Sequence, residues 1–212
     1  EKDAMLAVMA QFAAIYFVEI LGFCIMGNHF HLLVRVPPTH AISEKDLLER
    51  YQSVFKSKNP PHPTRLAHYR NKWTSLSEFI GDIKKTFTLK YNKPRGRKGT
   101  LWSDRFKSII VQDGPALLNC LAYIDLNPIR AGIVEKPEEY RWCSLGYHLQ
   151  SGNPNDLLHL DYGLPDWENI SPKEQLRLYR EFVYRSGAMD KGKGFIADRV
   201  LARAEANHFR YT

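Results

Sequence analysis

The sequence is poor in cysteine, has no long apolar run and contains fewer acidic than basic residues. Its three cysteines, Cys24, Cys120 and Cys143, form no metal-type pair and are an odd number at unrelated spacings. We therefore expect them to be reduced and structural, as in a cytosolic protein. No stretch reaches the roughly 18 apolar residues that cross a membrane, and we expect no signal peptide. These absences argue against disulfide-rich secreted proteins and membrane-spanning proteins.

The charge of the chain indicates what kind of partner it binds. Lysine and arginine number 30 and the acidic residues 23, which gives a net charge of +7 and an isoelectric point near 9.3. An excess of positive charge favours an anionic partner, with nucleic acid first and an acidic membrane surface second. At 212 residues the chain is long enough for one domain with an appendage.

The pattern of apolar residues predicts an α+β fold. It predicts strands over 15–26 and 29–36, joined as an antiparallel hairpin by Gly27-Asn28, and a third strand over 106–111. Helices are predicted over 3–13, 39–57, 75–91, 115–126, 171–185 and 197–206, whereas the proline-rich stretch 57–72 is predicted to be a loop or lid. The order helix, strand, strand, helix, strand, helix is typical of an antiparallel sheet with helices on one face.

Two histidines flank one phenylalanine in the second predicted strand, within the apolar sequence GNHFHLLV. Since the side chains of a strand alternate between its faces, His29 and His31 project to the same face. Two imidazoles side by side on a rigid backbone can supply two ligands of a divalent metal ion. The alternative is a pair of partly exposed histidines on an edge strand. The apolar neighbours favour the metal site, because buried polar rings without a partner are costly.

The most basic segment runs from Lys84 to Lys107 and contains one acidic residue, Asp104, with aromatic residues interleaved. Cations that follow a phosphate backbone, with rings on which bases can stack, are typical of single-strand binding. The alternatives are a solvated helix face followed by a turn, and a Trp102 that anchors the next strand in the core. The candidate DNA-binding residues are Lys84, Lys85, Lys90, Arg95, Arg97, Lys98, Trp102, Arg105 and Lys107.

A third candidate group lies near the end of the helix predicted over 115–126. Tyr123 and Asn127 are four residues apart, so on a helix they share a face. A tyrosine nucleophile and a metal-binding amide at this spacing can both address one cation. Alternatively, Tyr123 is a core aromatic residue and Asn127 caps a new helix that begins at Pro128. Tyr91 is the main rival as a nucleophile, although it continues the apolar face of its own helix.

Four blocks of the sequence resemble one protein family, in the same order. The block CIMGNHFHLLV resembles the His-hydrophobic-His motif of the REP-associated tyrosine transposases, with Gly27 where proline is usual. GRKGTLWSDRFKSIIV and YIDLNPIRAGIV resemble two further signature blocks, and YRWCSLGYH resembles the segment that follows them. These proteins are relatives of the small single-strand insertion-sequence (IS200-like) transposases in the HUH endonuclease superfamily. The resemblance covers roughly residues 10–150.

The resemblance implies a fold, a site and a partner. The fold would be a ferredoxin-like palm, which needs one more strand before residue 1. The site would hold Mg²⁺ or Mn²⁺ through His29, His31 and Asn127. Tyr123 would attack single-stranded or hairpin DNA and form a 5′-phosphotyrosine. Relatives suggest a homodimer, and the expected location is the cytoplasm, at the bacterial nucleoid. We expect a catalytic domain over 1–150 and a helical C-terminal extension of unknown role over 151–212.

Two other functions compete with DNA nicking and strand transfer. One is a DNA-binding regulator of repeat or hairpin sequences that keeps the fold without using the chemistry. The other is a metal-dependent phosphodiesterase in which water replaces the tyrosine. The presence of both histidines, Tyr123 and Asn127 favours the strand-transfer enzyme over the regulator. A covalent protein–DNA adduct would separate it from the phosphodiesterase.

Overall fold

The structure is a computed structural model and describes residues 1–159, 162–167, 169–189 and 194–211. It divides into two compact units: unit 1 comprises Glu1–Glu19 and Val34–Ser108, and unit 2 comprises Ile20–Leu33 and Ile109–Thr212. Residues on both sides of position 150 lie in unit 2, so the expected domain boundary at 150 stays a prediction. Of the C-terminal extension, residues 160, 161, 168, 190–193 and 212 lie outside the described residues.

The predicted hairpin is confirmed. Strands β1 (Glu19–Ile25) and β2 (Phe30–Arg35) form a two-stranded antiparallel sheet. The N–H of Met26 donates to the carbonyl of His29 at 2.9 Å and closes the turn. Almost every side chain of β1 is buried, whereas most of β2 is only half-buried. The chain is thus α+β as expected, while the ferredoxin-like arrangement, which needs further strands, stays a prediction.

Unit 1 contains four helices among its described residues. They are α1 (Lys2–Ala13), α2 (Glu44–Phe55), α3 (Pro63–Trp73) and α4 (Leu76–Asn92), with short 3-10 turns at Thr39–Ala41 and Lys93–Arg95. Ser43 and Ser75 cap α2 and α4, since their hydroxyls accept from the N–H groups of Asp46 and Glu78. The core is apolar and aromatic: Met5, Val8, Met9, Tyr16, Leu47, Trp73, Phe79 and Ile83.

The expected loop over 57–72 is wrong for its second half, where α3 begins at Pro63. Proline is well suited to the first turn of a helix, where its missing N–H costs nothing. His62 accepts a hydrogen bond from the N–H of Thr64 at 3.4 Å and caps the start. Tyr69 and Trp73 then pack against Tyr51 of α2. The proline-rich stretch therefore ends where α3 begins, and packing of the aromatic residues of α3 against α2 stabilises the helix.

Among its described residues, unit 2 contains the hairpin turn and five further helices. These are α5 (Pro115–Asp125), α6 (Asn127–Arg130), α7 (Ser144–Ser151), α8 (Pro172–Met189) and α9 (Asp198–Ala206), with 3-10 turns at Pro137–Glu139, Pro154–Asp156 and Pro165–Trp167. The helices expected in the C-terminal extension are present as α8 and α9. No helix in the described part of the chain is both long and apolar enough to span a membrane.

The strand expected over 106–111 is wrong. These residues have no regular secondary structure, and the side chains of Ile109 and Ile110 are 84% and 101% exposed. A strand needs a hydrogen-bonded neighbour, and none of the described residues pairs with this segment. Its isoleucine and valine residues favour a strand locally, but local preference cannot supply the partner strand.

Candidate active site

The two histidines of the hairpin lie side by side, as their spacing predicts. His29 immediately precedes β2 and His31 lies within it, and their ring centroids are 5.0 Å apart at an interplanar angle of 90°. His29 is exposed and His31 is half-buried, so the pair lies at the surface of the hairpin rather than inside it. Burial, followed by the charge of His29, lowers the pKa of His31. That shift favours the neutral ring, the form that binds a metal ion.

The side chain before the pair orients one of its rings. Oδ1 of Asn28 lies 2.7 Å from Nδ1 of His29. Because an amide oxygen only accepts, this contact assigns the proton to Nδ1 and leaves the lone pair on Nε2. Reasoning from the sequence missed Asn28, although its position directly before a candidate ligand was a usable signal.

Helix α5 brings Tyr123 against the histidine pair. The rings of Tyr123 and His31 are 6.1 Å apart between centroids and nearly perpendicular. Tyr123 is 50% exposed, which excludes the alternative of a core aromatic residue. The close packing of α5 on β1 depends on Gly22, because a Cβ atom there would lie 2.6 Å from Cδ2 of Leu121. The missing side chain in β1 therefore gives the helix the room to approach.

Arg130 lies over the ring of the candidate nucleophile. Its guanidinium carbon lies 4.7 Å from the centre of the Tyr123 ring, and its Nη1 donates to the carbonyl of Tyr123 at 3.0 Å. A guanidinium over an aromatic ring is an attractive arrangement, and it places a positive charge beside the phenol. Sequence reasoning did not single out Arg130. The sequence did contain a usable indication: Arg130 follows Tyr123 by seven residues, which corresponds to two helical turns along the same face.

Asn127 is bound to the end of the helix that carries Tyr123. Its Nδ2 donates to the carbonyls of Tyr123 and Ile124, at 2.9 and 3.2 Å. The expected alternative, an N-cap, is wrong, because the N-cap of α6 is Leu126 and Asn127 is the first residue of that helix. Its side chain instead satisfies free carbonyls at the end of α5. With Nδ2 bound to these carbonyls, Oδ1 is the amide atom left to act as a ligand.

The donor set of the site fits a divalent metal ion. Within the described residues, no group of three or more His, Cys, Asp and Glu side chains is placed to hold a metal. The ligand set that the resemblance implies is two imidazole nitrogens and one amide oxygen. Such a set provides nitrogen and oxygen donors and leaves positions open for phosphate oxygens and water.

The basic segment lies in unit 1, along α4 and the chain that follows it. Part of it lines a groove of about 930 Å³, whose lining residues include Lys84, Lys85, Arg105, Trp102 and Phe106. Lys90, Arg95, Arg97, Lys98 and Lys107 do not line this groove. The predicted DNA-binding residues thus divide into those that line the groove and those that lie outside it, on α4 (Lys90), on the chain just after α4 (Arg95, Arg97, Lys98) and in the irregular segment (Lys107).

Trp102 is tied to α4. Its Nε1–H is shared between the carbonyl of Lys84 and the hydroxyl of Thr88, at 3.1 and 3.0 Å. Nζ of Lys84 lies 5.2 Å from the ring centre and donates to the carbonyl of Asp104 at 2.8 Å. This geometry favours the anchoring role over base stacking, although the residue anchors an irregular segment rather than the expected strand.

We expect Trp102→Phe to lower the free energy of unfolding by about 1–2 kcal/mol, because both acceptors lose the indole N–H. Chemical denaturation measures this change. The phenylalanine keeps an aromatic face, so affinity for single-stranded DNA is expected to stay within about threefold of wild type. A large loss of affinity at unchanged stability would contradict the anchoring role.

Two arginines cover the rival tyrosine. Arg95 and Arg97 lie 4.0 and 5.9 Å from the Tyr91 ring, measured from the guanidinium carbon to the ring centre. Arg95 also forms an ion pair with Glu1 at 2.5 Å. Tyr91 thus lies in unit 1 among basic side chains, whereas both histidines and Tyr123 lie in unit 2.

Comparison with known proteins supports the resemblance seen in the motifs. Residues 1–74, which include both histidines, match the model of the family described as "Transposase IS200 like". Over 130 residues the chain is 25% identical to the "Putative REP-associated tyrosine transposase" of Haemophilus influenzae (strain ATCC 51907 / DSM 11121 / KW20 / Rd), a match that covers 61% of this chain. The chain spans 60% of the length of that relative. No solved structure matches the chain.

Proposed function

We propose that the chain is a transposase-type enzyme that cleaves and rejoins single-stranded or hairpin DNA through Tyr123. The single observation that carries the proposal is the position of the half-exposed Tyr123 ring, 6.1 Å from the ring of His31. A nucleophile that must reach a phosphate has to be accessible and close to the groups that hold that phosphate. The match to IS200-like transposases and the similarity to a REP-associated relative support a transposase-type function.

The proposed reaction takes its polarity from the family resemblance, and a tyrosine supplies the nucleophile. The Tyr123 oxygen attacks the phosphorus, the phenolic proton leaves to water or a base, and the bond from phosphorus to O3′ breaks. The departing O3′ takes up a proton, so the products are a 5′-phosphotyrosine and a free 3′-hydroxyl. One phosphoester replaces another, so the strand can be rejoined without ATP. Arg130 holds its guanidinium over the ring of the attacking phenol.

His29, His31 and Asn127 are the residues that would hold the divalent ion. A divalent ion held there, Mg²⁺ or Mn²⁺, would supply polarisation of the scissile phosphate and stabilisation of charge on the leaving oxygen. Asn28 keeps the His29 ring in the tautomer that presents Nε2. Mg²⁺ prefers oxygen ligands. Because two of the three ligands here would be imidazoles, we expect Mn²⁺ to support activity at least as well as Mg²⁺.

The basic segment of unit 1 supplies the DNA-binding surface in this proposal. The groove beside α4 is lined by Lys84, Lys85 and Arg105, whose positive charges suit the phosphate backbone of an unpaired strand. On the turn after α4, Arg97 and Lys98 are exposed and can meet further phosphates.

We expect the combined change of Arg95, Arg97 and Lys98 to alanine to reduce the salt dependence of single-strand binding. Each phosphate contact contributes roughly 0.7 to the slope of log affinity against log salt. The slope should therefore fall by up to about 2, measured by fluorescence anisotropy over a range of NaCl concentrations. The matched control changes Lys45, Lys58 and Lys173, three exposed lysines outside the segment, to alanine. Equal slopes in the two triple variants would place the binding surface elsewhere.

The proposed function is tested by incubating the protein with end-labelled single-stranded oligonucleotides that form hairpins, in the presence of Mn²⁺. Denaturing gels should show two products: a shortened free strand, and a slowly migrating strand that is linked to the protein. Protease treatment should digest the protein and remove the slowly migrating band. Cleavage without the protein-linked product would indicate hydrolysis by water. Tight binding without any cleavage would indicate a regulator. Either result would overturn strand transfer through tyrosine.

A further inference from the structure

The C-terminal extension contacts the helix of the candidate nucleophile through one buried hydrogen bond. The hydroxyl of Tyr179, on α8, donates to Oδ2 of Asp125, on α5, at 2.6 Å. Asp125 is 0% exposed and Tyr179 is 3% exposed. A buried carboxylate without hydrogen-bond donors is costly, so this bond stabilises the buried Asp125 side chain.

The second oxygen of the same carboxylate binds a different helix. The N–H of Leu145, in the first turn of α7, donates to Oδ1 of Asp125 at 3.0 Å. A carboxylate at a helix N-terminus is favourable, because free N–H groups and the helix dipole face it. One side chain therefore joins α5, α7 and α8.

Helix α7 is in turn tied to the sheet. The Ser144 hydroxyl accepts from the N–H of Phe23 at 2.6 Å and donates to the carbonyl of Phe23 at 3.0 Å. Phe23 lies in β1, which pairs with the strand that carries His31. A continuous chain of short contacts thus connects the histidine strand, α7, Asp125 and α8.

The position of Asp125 on its helix makes this connection relevant to the chemistry. Asp125 follows Tyr123 by two residues, which is about 200° around an α-helix. The carboxylate thus binds the back of α5 while the phenol projects from its exposed front. Fixing the back of the helix sets both its rotation and its distance from β2, and these determine where the phenol lies relative to His31.

We propose that Asp125 and Tyr179 are positioning residues for Tyr123, and that the extension beyond residue 150 is thereby required for DNA cleavage but not for DNA binding. This inference rests on the proposed function of Tyr123. Neither side chain touches the DNA or the metal ligands in this scheme. Their effect is on the alignment of the phenol with the bound phosphate, to which reaction rates are very sensitive.

The variant that tests this is Tyr179→Phe, which removes the one hydroxyl and keeps the ring. Its matched control is Val183→Ala, one turn further along α8, which opens a cavity at a fully buried site without a bond to Asp125. Both variants are measured by single-turnover cleavage at saturating DNA, by DNA affinity, and by hydrogen exchange of the α5 amides without metal or DNA. All assays are run at a temperature at which both variants are folded.

We expect Tyr179→Phe to cleave about 10- to 100-fold more slowly at unchanged DNA affinity, with faster exchange of the α5 amides. Val183→Ala is expected to cleave within about threefold of the wild-type rate. Equal rate losses in the two variants, or a wild-type rate in Tyr179→Phe, would overturn the inference and leave the proposed function standing. If the wild-type protein does not cleave, the proposed function fails. Unchanged exchange of the α5 amides in Tyr179→Phe overturns the positioning role on its own.

Discussion

Tyr123→Phe is expected to abolish DNA cleavage and the covalent protein–DNA adduct, with the fold and the affinity for DNA retained. The change removes only the hydroxyl that attacks the phosphate, and the half-exposed ring keeps its contacts with His31 and Arg130. Loss of a catalytic nucleophile lowers the rate by roughly 10³- to 10⁶-fold. Single-turnover cleavage of a labelled hairpin oligonucleotide measures the rate, and a denaturing protein gel measures the adduct.

The matched control is Tyr91→Phe, because Tyr91 is the rival nucleophile and lies among basic residues. Its ring is covered by Arg95 and Arg97 in unit 1, and it lies about 60 residues after His29 and His31 in the sequence. We expect this variant to form the adduct at close to the wild-type rate. Mass spectrometry of a trapped adduct trimmed with nuclease identifies the modified residue. A nucleotide mass on Tyr91, or undiminished adduct in Tyr123→Phe, would refute the assignment of Tyr123.

Replacing His29 or His31 by alanine is expected to lower the affinity for Mn²⁺ by at least about 10-fold and to stop cleavage, with the hairpin still folded. Each change removes one of two adjacent nitrogen donors whose rings lie 5.0 Å apart. Neither side chain is fully buried, so the cost in stability is expected to be small. Titration calorimetry measures the metal affinity, and circular dichroism measures the fold.

The control for the histidine variants is His40→Ala, an exposed histidine outside the hairpin. It is expected to bind Mn²⁺ and to cleave DNA like the wild-type protein. If the wild-type protein binds no divalent ion, with or without DNA, the metal site is refuted. If all three variants lose affinity equally, binding is unspecific and the assignment to His29 and His31 fails as well.

Local rules were sufficient for several features of this protein. The hairpin around Gly27-Asn28, the serine cap of α4 and the shared face of His29 and His31 all depend on residues within a few positions of one another. Turn preference, capping and strand alternation act over such short distances. The same holds for the spacing of Tyr123 and Asn127, which predicts their proximity on consecutive helical turns.

Contacts between distant segments decided the rest. The strand expected over 106–111 did not form, because strand-favouring residues cannot create a neighbouring strand. The approach of Tyr123 to His31 depends on how α5 packs on β1, and the tie from Asp125 to Tyr179 joins positions 54 residues apart. Side-chain spacing within an element follows from the covalent geometry of the chain, which the sequence contains. Distances between elements arise only when buried surfaces and hydrogen bonds from many positions are satisfied together, and so they appear only in the folded protein.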